Sequence, residues 1–176
     1  MKISRAVLSD IPAMNTLVNL AYRGEEAKKG WTFESDLIEG EKRTDEKDLY
    51  HLFSKEESIF LVAKNKEDKL VGTVYLEIKN DTLYLGMLSV EPTLQGNGIG
   101  KTLVLNAKET GHSLGLNGIQ IQVVHRRSEL ISWYERLGFK ATGRAFPFEV
   151  PAEFGKPKVP VHFIEMLCPL PQAQPG

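Results

Sequence analysis

The sequence predicts one α+β domain: a mixed, mostly antiparallel sheet of about seven strands, flanked by helices. Three observations carry this. Residues 58–90 form three successive period-two runs, "SIFLVAKN", "LVGTVYLEIKN" and "TLYLGMLSV", separated by the short polar turns "KEDK" and "ND", as adjacent antiparallel strands require. A glycine-rich loop, "QGNGIG", then passes the third run to a helical pattern. Two more strand-like runs, "FKATGRAF" and "VHFIEMLC", close the chain after a second helical segment.

The bulk properties narrow the function classes. A chain of 176 residues fits one domain with a sizeable core, and its 41% hydrophobic content is that of an ordinary globular protein. Residues 1–170 are expected to form that domain and 171–176 a flexible tail. With 22 basic against 23 acidic side chains and a net charge of -1, no basic excess marks a nucleic-acid binder. The single cysteine, Cys168, pairs with no other in the chain and is too little for the usual zinc site, so neither a disulfide nor a metal is expected. No stretch has the apolar length of a signal peptide or a membrane span. These features predict a cytoplasmic protein without a membrane or nucleic-acid partner.

The elements follow in order. "KISRAV" reads as a first strand, and Asp10 as the N-cap of an amphipathic helix with Pro12 in its first turn and Ile11, Met14, Leu17, Val18 and Tyr22 on one face. The charged, glycine-broken segment after Gly24 predicts short surface helices around 35–39 and 46–53. The three strands of 58–90 come next. Beyond the glycine loop, Ile99, Leu103, Val104, Ala107 and Leu114 mark a helix that ends near Gly111 and Gly115. "GIQIQVV" is a fifth strand. Ser128 caps a helix that turns Leu130, Ile131, Tyr134 and Leu137 inward before Gly138 closes it. Between the last two strands, the proline-rich "PFEVPAEFGKPKVP" is either a long ordered loop or a flap.

A strand that enters a helix through bare glycines points several unpaired N–H groups at one spot, at the positive end of the helix dipole, which makes an anion site. A plain tight turn is the alternative. The loop lacks GxxxxGK[ST] and the acidic ribose ligand of a dinucleotide fold, which argues against both nucleotide readings.

The wider context resembles a known family. "LSVEPTLQGNGIGKTLV" is similar to the acetyl-coenzyme A signature of the GNAT acetyltransferase superfamily, [QR]xxGx[GA] after a long strand, with Gln95, Gly98 and Gly100 in register. "LISWYERLGF" resembles the same superfamily's second motif, a helix with a tyrosine shortly before "GF"; together the two cover residues 82–139. The resemblance implies a sheet splayed between its fourth and fifth strands and acetyl-coenzyme A as co-substrate. It implies that the backbone of Leu88, Ser89 and Val90 pairs with the pantetheine arm, and that the amides of Gln95, Gly96, Asn97, Gly98, Ile99 and Gly100 hold the pyrophosphate. Lys101 either adds a charge-assisted contact or stays solvated. An amide near Leu88 would polarise the thioester carbonyl, and Tyr134 would protonate the departing sulfur, unless it is a core tyrosine. Arg127 stands where the family often has an asparagine, so it either contacts the coenzyme or meets another anion.

The same comparison places the acceptor pocket at Tyr22, Arg23, Trp31, Thr32 and Phe33, with Tyr84, Arg126, Phe146 and Phe148. Aromatic walls suit a small amine or a peptide terminus, and Arg23 and Arg126 suit an acceptor bearing a carboxylate. The general base is open. Tyr84 occupies the position of the glutamate that some members carry, and a tyrosine at its ordinary pKa is a poor base. Glu34, His125, Glu25, Glu26, Glu77 and water are the candidates. The function expected is direct N-acetylation of a primary amine of a small molecule or peptide by a monomer or homodimer. The alternative is a sensor or regulatory module that binds acyl-coenzyme A with weak or no catalysis.

Overall fold

The structure, a computed structural model, describes residues 1–23 and 36–171. In chain order these form β1 (Lys2–Arg5), a 3-10 turn (Leu8–Asp10), α1 (Ile11–Arg23), β2 (Ile38–Glu39), α2 (Glu46–Ser54), β3 (Ser58–Lys64), β4 (Leu70–Lys79), β5 (Thr82–Val90), a 3-10 turn (Pro92–Leu94), α3 (Ile99–Ser113), β6 (Gly118–Val124), α4 (Ser128–Arg136), β7 (Lys140–Pro147), a 3-10 turn (Ala152–Phe154), β8 (Lys156–Pro157) and β9 (His162–Pro169). Seven strands make one sheet in the order β1-β3-β4-β5-β6-β9-β7, and β2 pairs with β8 apart from it. All neighbours in the large sheet are antiparallel except β5 and β6.

Helices cover both faces of the sheet, so its central strands are apolar almost throughout rather than alternating. On one face, Ile11, Met14, Leu17 and Val18 of α1 and Leu49 of α2 pack on Phe60, Val62, Tyr75 and Met87. On the other, Leu103, Val104 and Ala107 of α3 and Leu130 and Tyr134 of α4 pack on Leu76, Leu85, Leu88, Val90 and Ile121. Gly72 brings α3 close to the sheet: a Cβ there would lie 2.9 Å from Ile99 and 3.0 Å from Leu103.

Three expectations change. Ser128 is the first residue of α4 rather than its cap: Arg127 holds the cap position, and no side chain caps the helix. Asp10 ends the 3-10 turn instead of capping α1; its carboxylate accepts the Val7 N–H at 2.9 Å and pairs with Lys64 at 2.9 Å. The short helix expected around 35–39 is instead a two-residue strand, because Ile38 and Glu39 pair with Pro157 and Lys156. That pairing also anchors the 147–160 segment. The Lys158 N–H donates to the Leu37 carbonyl at 2.8 Å, and the Arg23 guanidinium donates to the Phe154 carbonyl at 2.9 Å.

The feature that shapes the site is the junction of the fourth and fifth strands of the sheet. β5 and β6 pair in parallel only from Thr82↔Gly118 to Tyr84↔Gln120, and beyond that point the strands part. Within the parted stretch, the β4–β5 register shifts between Thr73 and Tyr75, and Met87 adopts φ 49°. A bulge of this kind re-aims the backbone that follows it.

Candidate active site

The gap between β5 and β6 opens into a cavity of about 270 Å³. Its lining includes Tyr22 and Arg23 of α1, Arg43, Asp48 of α2, residues 84–88 of β5, residues 121–124 of β6, Arg127, Tyr134 of α4, and Phe148, Phe154 and Phe163. Past the bulge, the Glu91 N–H bonds to the Val71 carbonyl, so the ladder's alternation turns Ser89 toward β4 and Leu88 and Val90 toward the gap. The Leu88 carbonyl accepts the Tyr22 hydroxyl at 2.9 Å, and the Val90 carbonyl accepts the Gln95 side-chain amide at 3.1 Å. The Leu88 N–H faces the gap with no strand beside it. All three residues expected to offer backbone groups are buried; the backbone groups of Leu88 and Val90 turn to the gap, those of Ser89 to β4, and the Ser89 hydroxyl donates to the Met87 carbonyl.

At the far end of β5 the glycine loop begins α3. Gly96 and Gly98 adopt φ 94° and 81°, and no side chain caps the helix. Left-handed backbone is what the glycines supply here, since a Cβ at either position would meet nothing within 4 Å. The N–H groups of Ile99, Gly100 and Lys101 in the first turn have no intrahelical acceptor and point out of the helix end. Residues 95–101 therefore present an uncapped, positively polarised helix end beside the gap, a cradle that suits a diphosphate.

Three phenols converge on the cavity from both faces of the sheet. Tyr134 is 5% exposed, its ring packed edge-on against Trp133 and Phe139. Its hydroxyl makes no hydrogen bond among the described residues. Burial pushes its pKa well up, the Tyr22 hydroxyl adds to this, and the Arg127 charge opposes it. Burial likewise raises Tyr84, again against a nearby arginine, Arg43. The Tyr84 ring lies against Gly86, where a Cβ would be 2.9 Å from it, and beneath the Lys79 ammonium at 4.4 Å. Gly86 was absent from the sequence-based candidates, although a glycine inside a strand signals such a close approach.

Other candidates lie elsewhere. His125 stacks on His162 with ring centroids 3.8 Å apart, and its Nδ1 accepts the His162 N–H at 3.1 Å. It is half-buried and outside the cavity lining, because the backbone after β6 follows β9 away from the gap. Arg126 is exposed and donates to the Pro160 carbonyl at 3.1 Å, so it holds the loop rather than the cavity wall. Phe146 is covered by the Arg144 guanidinium at 5.2 Å; Phe148, stacked on Phe163, supplies the aromatic wall instead. Arg23 lines the cavity but is buried, donating to the Lys42 and Phe154 carbonyls. Glu77 is bound by Lys55 at 3.1 Å and by the Tyr75 hydroxyl, away from the cavity. Glu25, Glu26, Trp31, Thr32, Phe33 and Glu34 lie outside the described residues. Arg43 and Asp48 line the cavity without having been expected there: in a charged segment, nothing in the sequence separates them from solvated neighbours.

A parted sheet with a bulge beside an uncapped, glycine-started helix defines an acyl-coenzyme A type of fold, and the comparisons agree. Residues 25–139 match the acetyltransferase (GNAT) family, and the chain belongs to that family. It is 34% identical over 157 residues to human N-acetyltransferase 8B, an alignment covering 85% of this chain and 65% of that protein, so the chain spans just under two thirds of that relative. It is 31% identical over 110 residues to the Escherichia coli (strain K12) peptidyl-lysine N-acetyltransferase YjaB, covering 62% of this chain and 68% of the relative. Among solved structures, the ribosomal-protein-S18-alanine N-acetyltransferase from Escherichia coli superposes with a TM-score of 0.70 at 18% identity, covering 99% of this chain and 97% of the other. A GNAT superfamily phosphinothricin acetyltransferase from Sinorhizobium meliloti, in complex with AcCoA, gives 0.71 at 15% identity, covering 99% and 94%. At those identities the two structures speak for the fold.

Proposed function

We propose that the protein is an N-acetyltransferase that uses acetyl-coenzyme A and passes the acetyl group directly to a primary amine of a small molecule or peptide. The observation that carries this is the gap between β5 and β6, where the Leu88 amide and the Tyr134 phenol line one cavity next to the free end of α3. When bound, acetyl-coenzyme A supplies an acetyl thioester whose transfer to an amine forms a C–N bond, breaks the C–S bond and frees the thiol.

Each step has a group in this chain. The amides at the start of α3 hold the diphosphate, and the gap-facing edge of β5 aligns the arm that follows it. The Leu88 N–H donates to the carbonyl oxygen as negative charge develops there. Tyr134 carries its proton at neutral pH, because burial raises its pKa, and gives that proton to the departing sulfur while the Arg127 charge steadies the oxygen left behind. Tyr84, raised in the same direction, stays protonated and shapes the acceptor pocket without serving as base. The amine's surplus proton leaves through water, with Asp48, a carboxylate in the cavity lining, and Glu34 as the groups to test. Direct transfer needs no covalent enzyme intermediate, and Cys168 is buried on β9, outside the cavity.

Thermal unfolding with acetyl-coenzyme A, coenzyme A, ATP or NAD tests the donor, since a ligand at 100 times its Kd adds about 2.7 kcal/mol. Stabilisation by the two coenzyme A species alone is expected, followed by thiol release when primary amines are added. No shift from either species at millimolar concentration would overturn the proposal; binding without thiol release from any amine would favour an acyl-coenzyme A sensor instead.

A further inference from the structure

Arg43 differs from the other arginines of the cavity. Arg23 is engaged by the Lys42 and Phe154 carbonyls, and Arg127 stands at the start of α4 beside Tyr134. The Arg43 guanidinium makes no hydrogen bond and no ion pair among the described residues. It lies over the Tyr22 ring, 5.7 Å from the centroid, where its charge reaches the Tyr84 hydroxyl. Its backbone is fixed: Asn19 Oδ1 accepts the N–H groups of Arg43 at 2.6 Å and Thr44 at 3.1 Å, and the Asn19 amide donates to the Thr44 carbonyl. Two acids of the same segment are engaged elsewhere, Asp45 by Lys42 at 3.2 Å and Asp48 by the Thr44 hydroxyl at 2.6 Å. A half-buried guanidinium, positioned and left unpaired, is set for an anion from outside.

That anion is not the coenzyme's diphosphate. Tyr22 and Tyr84, which flank Arg43, pack with the α1 and α2 face of the sheet, whereas α3 packs on the opposite face. The acceptor must come from the α1 and α2 side to reach Leu88. We propose that Arg43 is an anion subsite of the acceptor pocket, and that the acceptor is a small primary amine bearing a carboxylate, of the α-amino-acid kind, with an apolar side chain against Tyr22, Tyr84, Phe148 and Phe154. The planar fork of the guanidinium matches a carboxylate in two parallel hydrogen bonds. This assignment rests on the transferase function proposed above.

The test uses matched pairs that differ only in the carboxylate: phenylalanine with 2-phenylethylamine, and leucine with 3-methylbutylamine. The wild type should prefer the acid of each pair by at least about 10-fold in kcat/KM, the worth of one charge-assisted contact. Arg43→Ala should erase that preference through KM, and Arg43→Lys should restore part of it. A second measurement is independent of turnover: calorimetric binding of N-acetylphenylalanine and N-acetyl-2-phenylethylamine to the protein saturated with coenzyme A. Equal handling of acid and decarboxylated twin by the wild type, or equal weakening of both by Arg43→Ala at unchanged Tm, overturns the proposal. If no amine is acetylated but N-acetylphenylalanine still binds through Arg43, the transferase reading falls and the subsite stands.

Discussion

The Tyr134 hydroxyl is the single atom on which the proposed proton transfer depends, and its surroundings allow it to be removed cleanly. Trp133 and Phe139 hold the ring edge-on, and among the described residues no hydrogen bond ties the oxygen. Tyr134→Phe therefore keeps the packing and deletes only the donor. Turnover should fall by about 10²-fold, the lower range for loss of a general acid, while coenzyme affinity and Tm stay as in the wild type. Steady-state kinetics with a coenzyme titration check both halves; unchanged turnover across pH would remove Tyr134 from the chemistry. The neighbouring phenols are fixed by different means, Tyr22 by its bond to the Leu88 carbonyl and Tyr84 by lying against Gly86. The motifs singled out Tyr134 and Gly98 from sequence, but nothing singled out Arg43, whose proposed role comes from what its neighbours have already bonded.

At the scale of elements, α3 and the gap belong together: the same strand that bulges at Met87 ends at Val90, shortly before the loop in which Gly96 and Gly98 start the helix. Gly98→Val places a β-branched residue at φ 81°, at a strain of about 1–2 kcal/mol, and sets a Cβ where a phosphate approaches the amides. Coenzyme binding, read by calorimetry, should weaken by at least about 10-fold, with Tyr134 and the acceptor side untouched; unaltered affinity would move the diphosphate elsewhere. The long strands and helices were legible because period two and period 3.6 repeat over enough residues to be read. β2 and β8 were not, since two residues carry no period, and their pairing follows instead from where Arg23 holds the loop. Gly155 leaves room for that guanidinium: a Cβ there would lie 2.5 Å from Ile38 and 3.0 Å from Arg23. His125, Arg126 and Phe146 illustrate the same limit, because the side chain that faces a gap at a strand end depends on how neighbouring strands diverge.

For the whole molecule, α1 and α2 cover one face and α3 and α4 the other, so under the proposed function the amine and the coenzyme would approach from opposite sides and meet where β5 leaves β6. Away from that opening, Glu77 ties the end of α2 to the sheet. It accepts from Lys55, just past α2, and from the Tyr75 hydroxyl on its own strand, with Lys79 at 3.7 Å. Burial alone would raise its pKa, but the Tyr75 and Lys55 hydrogen bonds and the two lysine charges outweigh it, so the folded carboxyl sits below the usual carboxylate range. A depressed folded pKa means the stabilisation is complete above the unfolded value, about 4.3, and is lost as pH falls through the folded one. Lys55 and Lys79 are 38% and 43% exposed, so solvent screens part of the attraction. Glu77→Gln should therefore cost on the order of 1 kcal/mol at pH 7, about 2–4 °C in Tm for a chain of this size. The gap between wild type and variant should stay level from pH 8 to about pH 5 and close as the pH falls below the folded pKa of Glu77, where both side chains are neutral. Scanning calorimetry across that range decides it: a gap that persists in acid would assign Glu77 a packing role, and no gap at pH 7 would mean that the tie between α2 and β4 contributes nothing to the fold.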